Sequence, residues 1–159
     1  MSSKFKATFD DSGNLVLKDK SKIKEGRKSR GAGARFEARV RADLESRGWI
    51  VDKWSNNVDL EKNQIVPAKK KFNPFSKVMS IGTGFPDFVC FQKNGDRFDV
   101  IGVEVKTSGR LKGEEKEKCR WYLKNEIFRE ILIAKKLKEK NRIRIEYINF
   151  LDIQKGIRK

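Results

Sequence analysis

The sequence predicts an α/β fold in which helices flank a mixed β-sheet, and three observations support this class. Apolar residues recur at helical spacing in residues 31–48, a tight-turn signal divides a strand-like stretch in residues 85–107, and a charged helical stretch in residues 113–125 precedes further strand-like sequence. This order of a helix, three strands, a second helix and more strands is typical of a mixed sheet covered by helices. The length of 159 residues fits one domain of ordinary size.

The N-terminal residues 1–30 are basic and contain few apolar side chains. Phe5, Ala7 and Phe9 alternate with polar residues before a turn-like run, which favours either a small hairpin or a loose arm. The charge run from Lys20 to Arg30 is typical either of a solvated, mobile segment or of an arm that binds nucleic acid. Both pairs of alternatives stay open at this point, and the main domain is predicted over residues 31–159.

The main domain begins with a predicted helix over residues 31–48, because Phe36, Val40 and Leu44 recur at helical spacing and Gly48 is a typical residue for the end of a helix. Residues 55–84 are polar and lack clear periodicity, so we expect a functional or disordered segment there. The other predicted elements, in chain order, are strands Trp49–Trp54, Phe85–Gln92 and Phe98–Thr107, a helix over 113–125, and strands Glu130–Lys135 and Arg142–Phe150.

The composition restricts both the partners and the chemistry. Lysine and arginine outnumber aspartate and glutamate by 38 to 22, a net charge of +16 that attracts polyanions, most commonly a phosphate backbone. The sequence has neither a long apolar run nor an amphipathic helix of the interfacial type, so a membrane partner is not expected. Cys90 and Cys119 lack metal-ligand spacing and the chain has no histidine, so a zinc site and histidine-based catalysis are not expected. We expect both cysteines to be reduced in a cytoplasmic protein.

Three charged residues are predicted to share one face of the central hairpin. If Asn94-Gly95 forms its two-residue turn, Asp87 lies opposite Gly102. Side chains alternate between the faces of a strand, so Glu104 and Lys106 share the face of Gly102. The valines and the isoleucine between them point to the other face. The sequence therefore predicts two acids and a lysine close together beside apolar packing.

These residue types point to a hard metal ion. Two neighbouring carboxylates repel each other unless a cation lies between them, and oxygen ligands without histidine or thiolate favour Mg²⁺ or Mn²⁺. We expect the ligands Asp87 and Glu104 with the backbone carbonyl of Val105, while Lys106 orients a water or offsets charge on a phosphate. Gly102 is expected to leave room for the phosphate or the ion. The alternative, left open by spacing alone, is an exposed ladder of salt bridges.

Glu37 lies at the margin of the apolar face of the first predicted helix, because it precedes Val40 by three residues and Leu44 by seven. A carboxylate at this margin can reach toward the sheet. The alternative is a surface ion pair with Arg41, four residues along the helix.

The motif Gly84-Phe85-Pro86-Asp87 followed by Val103-Glu104-Val105-Lys106 resembles the signature of the PD-(D/E)XK nuclease superfamily, whose fold is called restriction-endonuclease-like. The stretch Arg35-Phe36-Glu37 with its following apolar residues resembles the first helix of archaeal Holliday junction resolvases. The resemblance spans roughly residues 30–135. It implies metal ligands Asp87, Glu104 and Glu37, a catalytic Lys106, and a role for Ser55 after the first strand. Because the resolvases cut two strands symmetrically, it is also compatible with a homodimer.

Two features depart from the resolvases. Residues 55–84 form a longer segment than those enzymes have before the PD motif. The nuclease assignment therefore does not depend on a junction substrate. The stretch that begins at Leu111 resembles the VRR-type nuclease branch, where a glutamine commonly stands on the following helix. Glu115 is the nearest match here, and we expect it to be a solvated acid that stabilises the start of that helix.

The sequence thus predicts a Mg²⁺- or Mn²⁺-dependent DNA endonuclease, selective for branched DNA, with a VRR-type or sequence-specific nuclease as the alternative within the superfamily. A basic DNA-binding module without catalysis is the alternative from another class. In residues 69–75 three lysines precede Phe72 and Phe75, and these rings are expected either to stack on bases or to pack in the core. The candidate DNA contacts are Arg30, Arg35, Ser55, Lys69, Lys70, Lys71, Thr107, Ser108 and Arg110.

Overall fold

The computed structural model describes residues 4–10, 12–73, 78–81 and 84–156, and within this range it describes only the backbone of residues 71–73 and 78–81. The strands are β1 Phe5–Phe9, β2 Leu15–Asp19, β3 Ile50–Lys53, β4 Asn56–Asp59, β5 Gln64–Pro67, β6 Lys70–Asn73, β7 Val78–Ile81, β8 Phe88–Asn94, β9 Arg97–Lys106, β10 Glu130–Glu139 and β11 Arg142–Asn149. The helices are α1 Lys20–Ser46, α2 Gly113–Lys124 and α3 Phe150–Gln154.

The chain divides into two compact units, Met1–Ala38 and Arg39–Lys159. In the first unit β1 and β2 form an antiparallel hairpin, and α1 begins directly after it. The Asp19 side chain accepts a hydrogen bond of 2.8 Å from the backbone N–H of Ser21, which satisfies a donor of the first helical turn. Of the two alternatives left open for the N-terminus, the structure shows the hairpin.

The charge run that follows this hairpin is helical, which corrects one of its two alternatives, the mobile segment, and leaves the nucleic-acid-binding arm a prediction. Helix α1 starts at Lys20 instead of residue 31. Lysine, arginine and glutamate have good helix propensity, and they supply seven of the eleven residues from Lys20 to Arg30. The cap at Asp19 is the local signal that the sequence prediction missed.

The second unit contains a five-stranded mixed sheet in the order β11-β10-β9-β8-β3, which confirms the α/β class. Strands β9 and β10 are parallel and α2 lies between them in the chain, whereas the other neighbours in the sheet are antiparallel. The predicted strands of this sheet and α2 are confirmed with small shifts at their ends, the largest being the extension of β10 to Glu139.

Helices cover both faces of this sheet. On one face Cys119 and Tyr122 of α2 are buried in a cluster with Val89, Ile131 and Ile133. On the other face the last turns of α1 are hydrogen-bonded to the sheet. The Tyr147 hydroxyl donates to Asp43 of α1 at 2.8 Å, and the Arg41 guanidinium donates to the carbonyl of Val51 at 2.5 Å.

The described residues of the polar segment after β3 form hairpins, which corrects the disordered alternative and leaves the functional one a prediction. Strands β4 and β5 pair with each other, as do β6 and β7. The first hairpin buries Val58 and Ala68, and its turn residue Asn63 accepts a hydrogen bond of 2.5 Å from the Trp121 indole of α2. These tertiary contacts supply the stability that the weak apolar pattern of the segment does not reveal.

Within the part of the chain that the structure describes, no helix is both long and apolar enough to cross a membrane.

Candidate active site

The loop Gly84–Asp87 carries the first acid of the candidate site and is packed against the chain after β3. A Cβ atom on Gly84 would lie 2.0 Å from the Trp54 carbonyl oxygen, so only glycine fits this approach of two backbones. The Phe85 N–H donates to the Asn56 carbonyl at 2.9 Å, and the Trp54 N–H donates to the Asp87 carbonyl at 3.1 Å. Backbone hydrogen bonds on both sides of the loop therefore fix the position of Asp87.

The register of the β8–β9 hairpin differs from the predicted one. The two-residue turn is Gly95-Asp96 instead of Asn94-Gly95, and Asn94 pairs with Arg97. Gly95 takes the positive φ of 62° that such a turn needs, and the Asn94 side chain donates to Asp99 at 3.0 Å across its base. Gly102 therefore pairs with Val89 instead of Asp87.

The shift moves the pairing by an even number of residues, so the predicted sharing of one face is confirmed. Asp87 now lies beside Glu104, and the two are joined by reciprocal hydrogen bonds. The Val105 N–H donates to Asp87 Oδ2 at 2.8 Å, and the Asp87 N–H donates to Glu104 Oε2 at 3.1 Å. Asp87 is thus held by the N–H of the residue after Glu104, and Glu104 is held by the N–H of Asp87 itself.

Glu104 is a buried acid on an apolar strand, and only 5% of its surface is exposed. Its neighbour in the register on β10 is the fully buried Ile133. Burial, followed by the charge of Asp87, raises the pKa of Glu104 to about 8, while Lys106 acts in the opposite direction. An ionised Glu104 therefore needs more positive charge nearby than Lys106 supplies.

Lys106 is bound between two carboxylates. Its Nζ lies 3.0 Å from Glu104 Oε1 and 2.7 Å from Glu115 Oε1. Burial lowers the pKa of Lys106, but the hydrogen bonds with Glu115 and Glu104 outweigh it and the pKa is raised overall. The ammonium form is therefore the stable one in this setting.

Glu115 contacts the site directly, which corrects the expectation of a solvated helix acid. Its Oε2 accepts a hydrogen bond of 2.7 Å from the Lys112 N–H at the start of α2, while its Oε1 binds Lys106. A signal for this was present in the sequence, because Glu115 precedes Cys119 by four residues and Tyr122 by seven, and both are buried. Residues at that spacing share one face of a helix.

Gly102 is required by packing and not by an open approach for a phosphate or an ion, which corrects that part of the prediction. A Cβ atom on Gly102 would lie 2.8 Å from Pro86 Cγ and 3.2 Å from Phe128 Cδ2. The space above Gly102 is therefore filled by the proline of the motif and by an aromatic ring of the core.

The remaining site candidates are placed as follows. Glu37 lies half-buried on α1 in the first unit, and its role stays a prediction. Ser55 is exposed directly after Trp54, whose backbone contacts Asp87. Thr107 and Ser108 form the exposed turn after β9. Arg30, Arg35, Lys69, Lys70 and Arg110 are exposed, and the side chains of Lys71 and Phe72 and all of Phe75 lie outside the described residues.

The donor set fits a hard cation with few protein ligands. The described residues contain no cluster of three or more histidine, cysteine, aspartate or glutamate side chains arranged to hold a metal ion. Mg²⁺ is usually bound by one or two carboxylates and completes its shell with waters and substrate phosphates. Asp87 and Glu104 meet that requirement, and the raised pKa of Glu104 shows where an added positive charge would be stabilising.

Comparison with models of protein families, with curated proteins and with solved structures gives no match to this chain. The geometry of the second unit and the motif that it contains therefore carry the evidence on function.

Proposed function

We propose that the chain is a metal-dependent deoxyribonuclease that hydrolyses phosphodiester bonds within DNA. The observation that carries this proposal is the pair of hydrogen-bonded acids Asp87 and Glu104 on a largely apolar sheet, with the ammonium group of Lys106 beside them. Burying an acid next to a second acid costs free energy, so the arrangement is difficult to explain by stability alone. The net charge of +16 supports a polyanionic substrate.

The residues that would hold the cation are Asp87, Glu104 and the carbonyl of Val105. When bound, Mg²⁺ or Mn²⁺ supplies Lewis acidity to a phosphate oxygen and to a water. The chain itself holds Asp87 in one orientation through the Val105 N–H. This orientation is available before any ligand binds, which lowers the free energy that binding has to supply.

Lys106 is proposed to offset negative charge on the phosphate. Its hydrogen bonds with Glu115 and Glu104 raise its pKa against the opposing effect of burial, so it carries a positive charge and is a poor proton acceptor. A fixed ammonium group beside the reacting phosphate stabilises charge that develops in the transition state. This favours a role in charge stabilisation or in orienting a water over a role as general base.

Branched DNA is the proposed substrate, a choice supported by the resemblance of the first helix to that of the junction resolvases. A VRR-type or sequence-specific nuclease is the alternative within the same chemistry, and a homodimer is compatible with either. The test is cleavage of labelled DNAs, namely a four-way junction, a flap, a plain duplex and a single strand, with Mg²⁺, Mn²⁺ or EDTA. Size-exclusion chromatography with light scattering measures the oligomeric state.

The decisive variant is Asp87→Asn, with Asp96→Asn as the matched control. Both remove one carboxylate charge, but Asp96 lies in the β8–β9 turn at the other end of the hairpin. We expect metal-dependent cleavage to fall at least about a thousandfold in Asp87→Asn, which corresponds to about 4 kcal/mol of transition-state stabilisation, and to be retained in Asp96→Asn. Binding without cleavage on every DNA and metal would contradict the proposal and favour a basic DNA-binding module.

A further inference from the structure

Strand β10 extends beyond the end of β9, the strand that carries Glu104 and Lys106. It pairs with β9 from Glu130 to Lys135, where Lys135 lies opposite Lys106. The next rung is a hydrogen bond of 3.4 Å from the Lys136 N–H to the Thr107 carbonyl, in the turn after β9. Beyond that hydrogen bond, β10 pairs with β11 and with no other strand that the structure describes, and the pairing continues to Glu139 opposite Arg142.

Residues 136–145 therefore form a two-stranded extension, which we call the distal ribbon, at the end of the sheet where Lys106 lies. A strand rises about 3.3 Å per residue, so the four residues after Lys135 carry the ribbon roughly 13 Å past the site strand. The Arg39 guanidinium donates to the carbonyl of Ile143 at 3.5 Å, which ties the ribbon to the last part of α1. The ribbon thus has a defined direction beside the site.

The distal ribbon is strongly cationic. Five of its ten residues are lysine or arginine and one is acidic, whereas lysine and arginine make up 38 of 159 residues in the whole chain. Four of the five cations are exposed and the fifth is half-buried. The five are Lys136, Lys138, Lys140, Arg142 and Arg144.

The cations occupy both faces of the ribbon. Lys136 and Lys138 lie on one face, and Arg142 and Arg144 lie on the other, because directly paired residues of an antiparallel ladder share a face. Among the described residues, the ion pair seen within the ribbon joins Arg144 to Glu139 at 3.0 Å, and both side chains are more than half exposed. Such a surface pair contributes little to stability. Glu139 is the one acid of the ribbon and shares its face with two arginines, so the net charge is positive on both faces.

Folding alone gives little reason for this charge. Charged residues on an outer strand protect it against pairing with other chains, but mixed charges would do this as well. Five like charges in ten residues repel one another and are expected to reduce the stability of the ribbon. A partner with dense negative charge would remove that cost.

A duplex provides such charge, with one phosphate for about every 1.7 Å of its axis, or about eight over the roughly 13 Å of the ribbon. The carboxylates at the site repel a phosphate backbone, and the adjacent cations offset this repulsion. A two-stranded ribbon also has the width that a DNA groove accepts.

We infer that the distal ribbon is a nucleic-acid-binding arm that contacts the phosphate backbone of a duplex beside the bond held at Asp87 and Glu104. The inference builds on the proposed nuclease, but the binding that it describes is measured without cleavage.

The test is the salt dependence of binding to a labelled duplex in EDTA, using the full chain with Lys138→Gln and Lys140→Gln combined. Each lost phosphate contact reduces the slope of log K against log salt by about 0.9, so we expect the slope to fall by about 1.8. The matched control is Lys93→Gln with Arg97→Gln, which removes the same charge from exposed positions at the other end of the sheet. We expect its slope to stay within about 0.5 of the wild type.

Three outcomes would overturn the inference. Equal losses in the two double variants would show that net charge alone acts, and no loss in the ribbon variant would show that the ribbon makes no contact. A selective loss of binding to anionic phospholipid vesicles, with duplex binding kept, would assign the ribbon to a membrane surface. Thermal unfolding of both variants checks that a loss of binding is not a loss of fold.

The two proposals fail separately. If the chain binds duplex through the ribbon but cleaves no DNA with any metal, the inference stands and the nuclease proposal fails. If Asp87→Asn abolishes metal-dependent cleavage while the ribbon variant binds like the wild type, the nuclease proposal stands and the ribbon has no role in binding.

Discussion

The two faces of β9 differ in the residues that they carry. On one face Ile101 and Val103 are buried and pack in the core. On the other face Gly102 lies under Pro86, Glu104 is buried beside Asp87, and Lys106 pairs with two acids. The first face lowers the free energy of the folded state, and the second raises it at Glu104. The alternation along β9 therefore places apolar packing on one face and the residues of the proposed site on the other, and four variants test that separation.

The largest effect is expected for Glu104→Gln, measured as the free energy of unfolding against pH in EDTA. Folding raises the pKa of Glu104 from 4.5 to about 8, because the carboxyl is buried beside Asp87. Between these two values the folded chain holds a proton that the unfolded chain has released, so the stability of the wild type falls as pH rises through this window. The variant cannot titrate at this position and should gain several kcal/mol relative to the wild type between pH 4.5 and 8.

Glu117→Gln is the control for this measurement, because Glu117 is exposed on α2 and pairs with Arg120. Its stability curve should run parallel to that of the wild type. Parallel curves for Glu104→Gln and the wild type would show that folding does not raise the pKa of Glu104, and the separation of the two faces would fail.

Val103→Ala tests the apolar face of the same strand. Val103 has no exposed surface, so the loss of two methyl groups and the resulting cavity should lower the free energy of unfolding by about 2–3 kcal/mol. The rate of cleavage per folded molecule should stay within about twofold of the wild type, because the site residues keep their contacts. A much larger loss of activity at a temperature where the variant is folded would show that the two faces are not independent.

Gly102→Ala is expected to affect both properties, since the added methyl group would lie 2.8 Å from Pro86 and 3.2 Å from Phe128. Overpacking of this kind costs about 1–3 kcal/mol. The displacement of Pro86 would also move its neighbour Asp87, so cleavage should fall even where the variant is fully folded. Urea unfolding and cleavage assays on the same preparation measure the two effects. Unchanged cleavage by a destabilised variant would show that Pro86 does not position Asp87.

The smallest effect is expected for Glu115→Gln, compared with Glu114→Gln on the same helix turn. Glu115 binds Lys106, whereas Glu114 is exposed and pairs with Lys118. Loss of one negative charge near Asp87 and Glu104 should raise the Mg²⁺ concentration for half-maximal cleavage roughly threefold to tenfold, or about 0.7–1.4 kcal/mol. Calorimetry of Mn²⁺ binding should show the same ratio without cleavage. Equal effects of both variants would assign the change to general charge.

The shared face of the two acids could be predicted from the sequence because it depends only on the alternation of side chains and on an even-numbered turn. The sequence Asn94-Gly95-Asp96 contains two overlapping signals for a two-residue turn, and choosing the wrong one shifts the register without changing the face. The pattern therefore placed Asp87 on the correct side while it misplaced its partner.

Features that depend on contacts between distant segments could not be predicted in the same way. The role of Glu115 requires α2 to lie against the end of β9, and the space above Gly102 is filled by Phe128, which lies much later in the chain. The β4–β5 hairpin depends on Trp121 and on the burial of Val58. No periodic pattern of apolar residues within these segments predicts such contacts.

The hydrogen bonds of the site join residues that are close in sequence, with separations of 17, 18 and 9 residues. All of these residues come from the stretch 87–115. The apolar strand beside Glu104 comes later, because β10 pairs with β9 only after the α2 crossover. Closing a short loop costs less entropy than closing a long one, so a folding chain can bring the acids together while water still surrounds them. Burial is the largest cause of the raised pKa of Glu104 and depends in part on β10, so in a chain whose β10 has not joined the sheet the pKa of Glu104 would lie closer to its ordinary value.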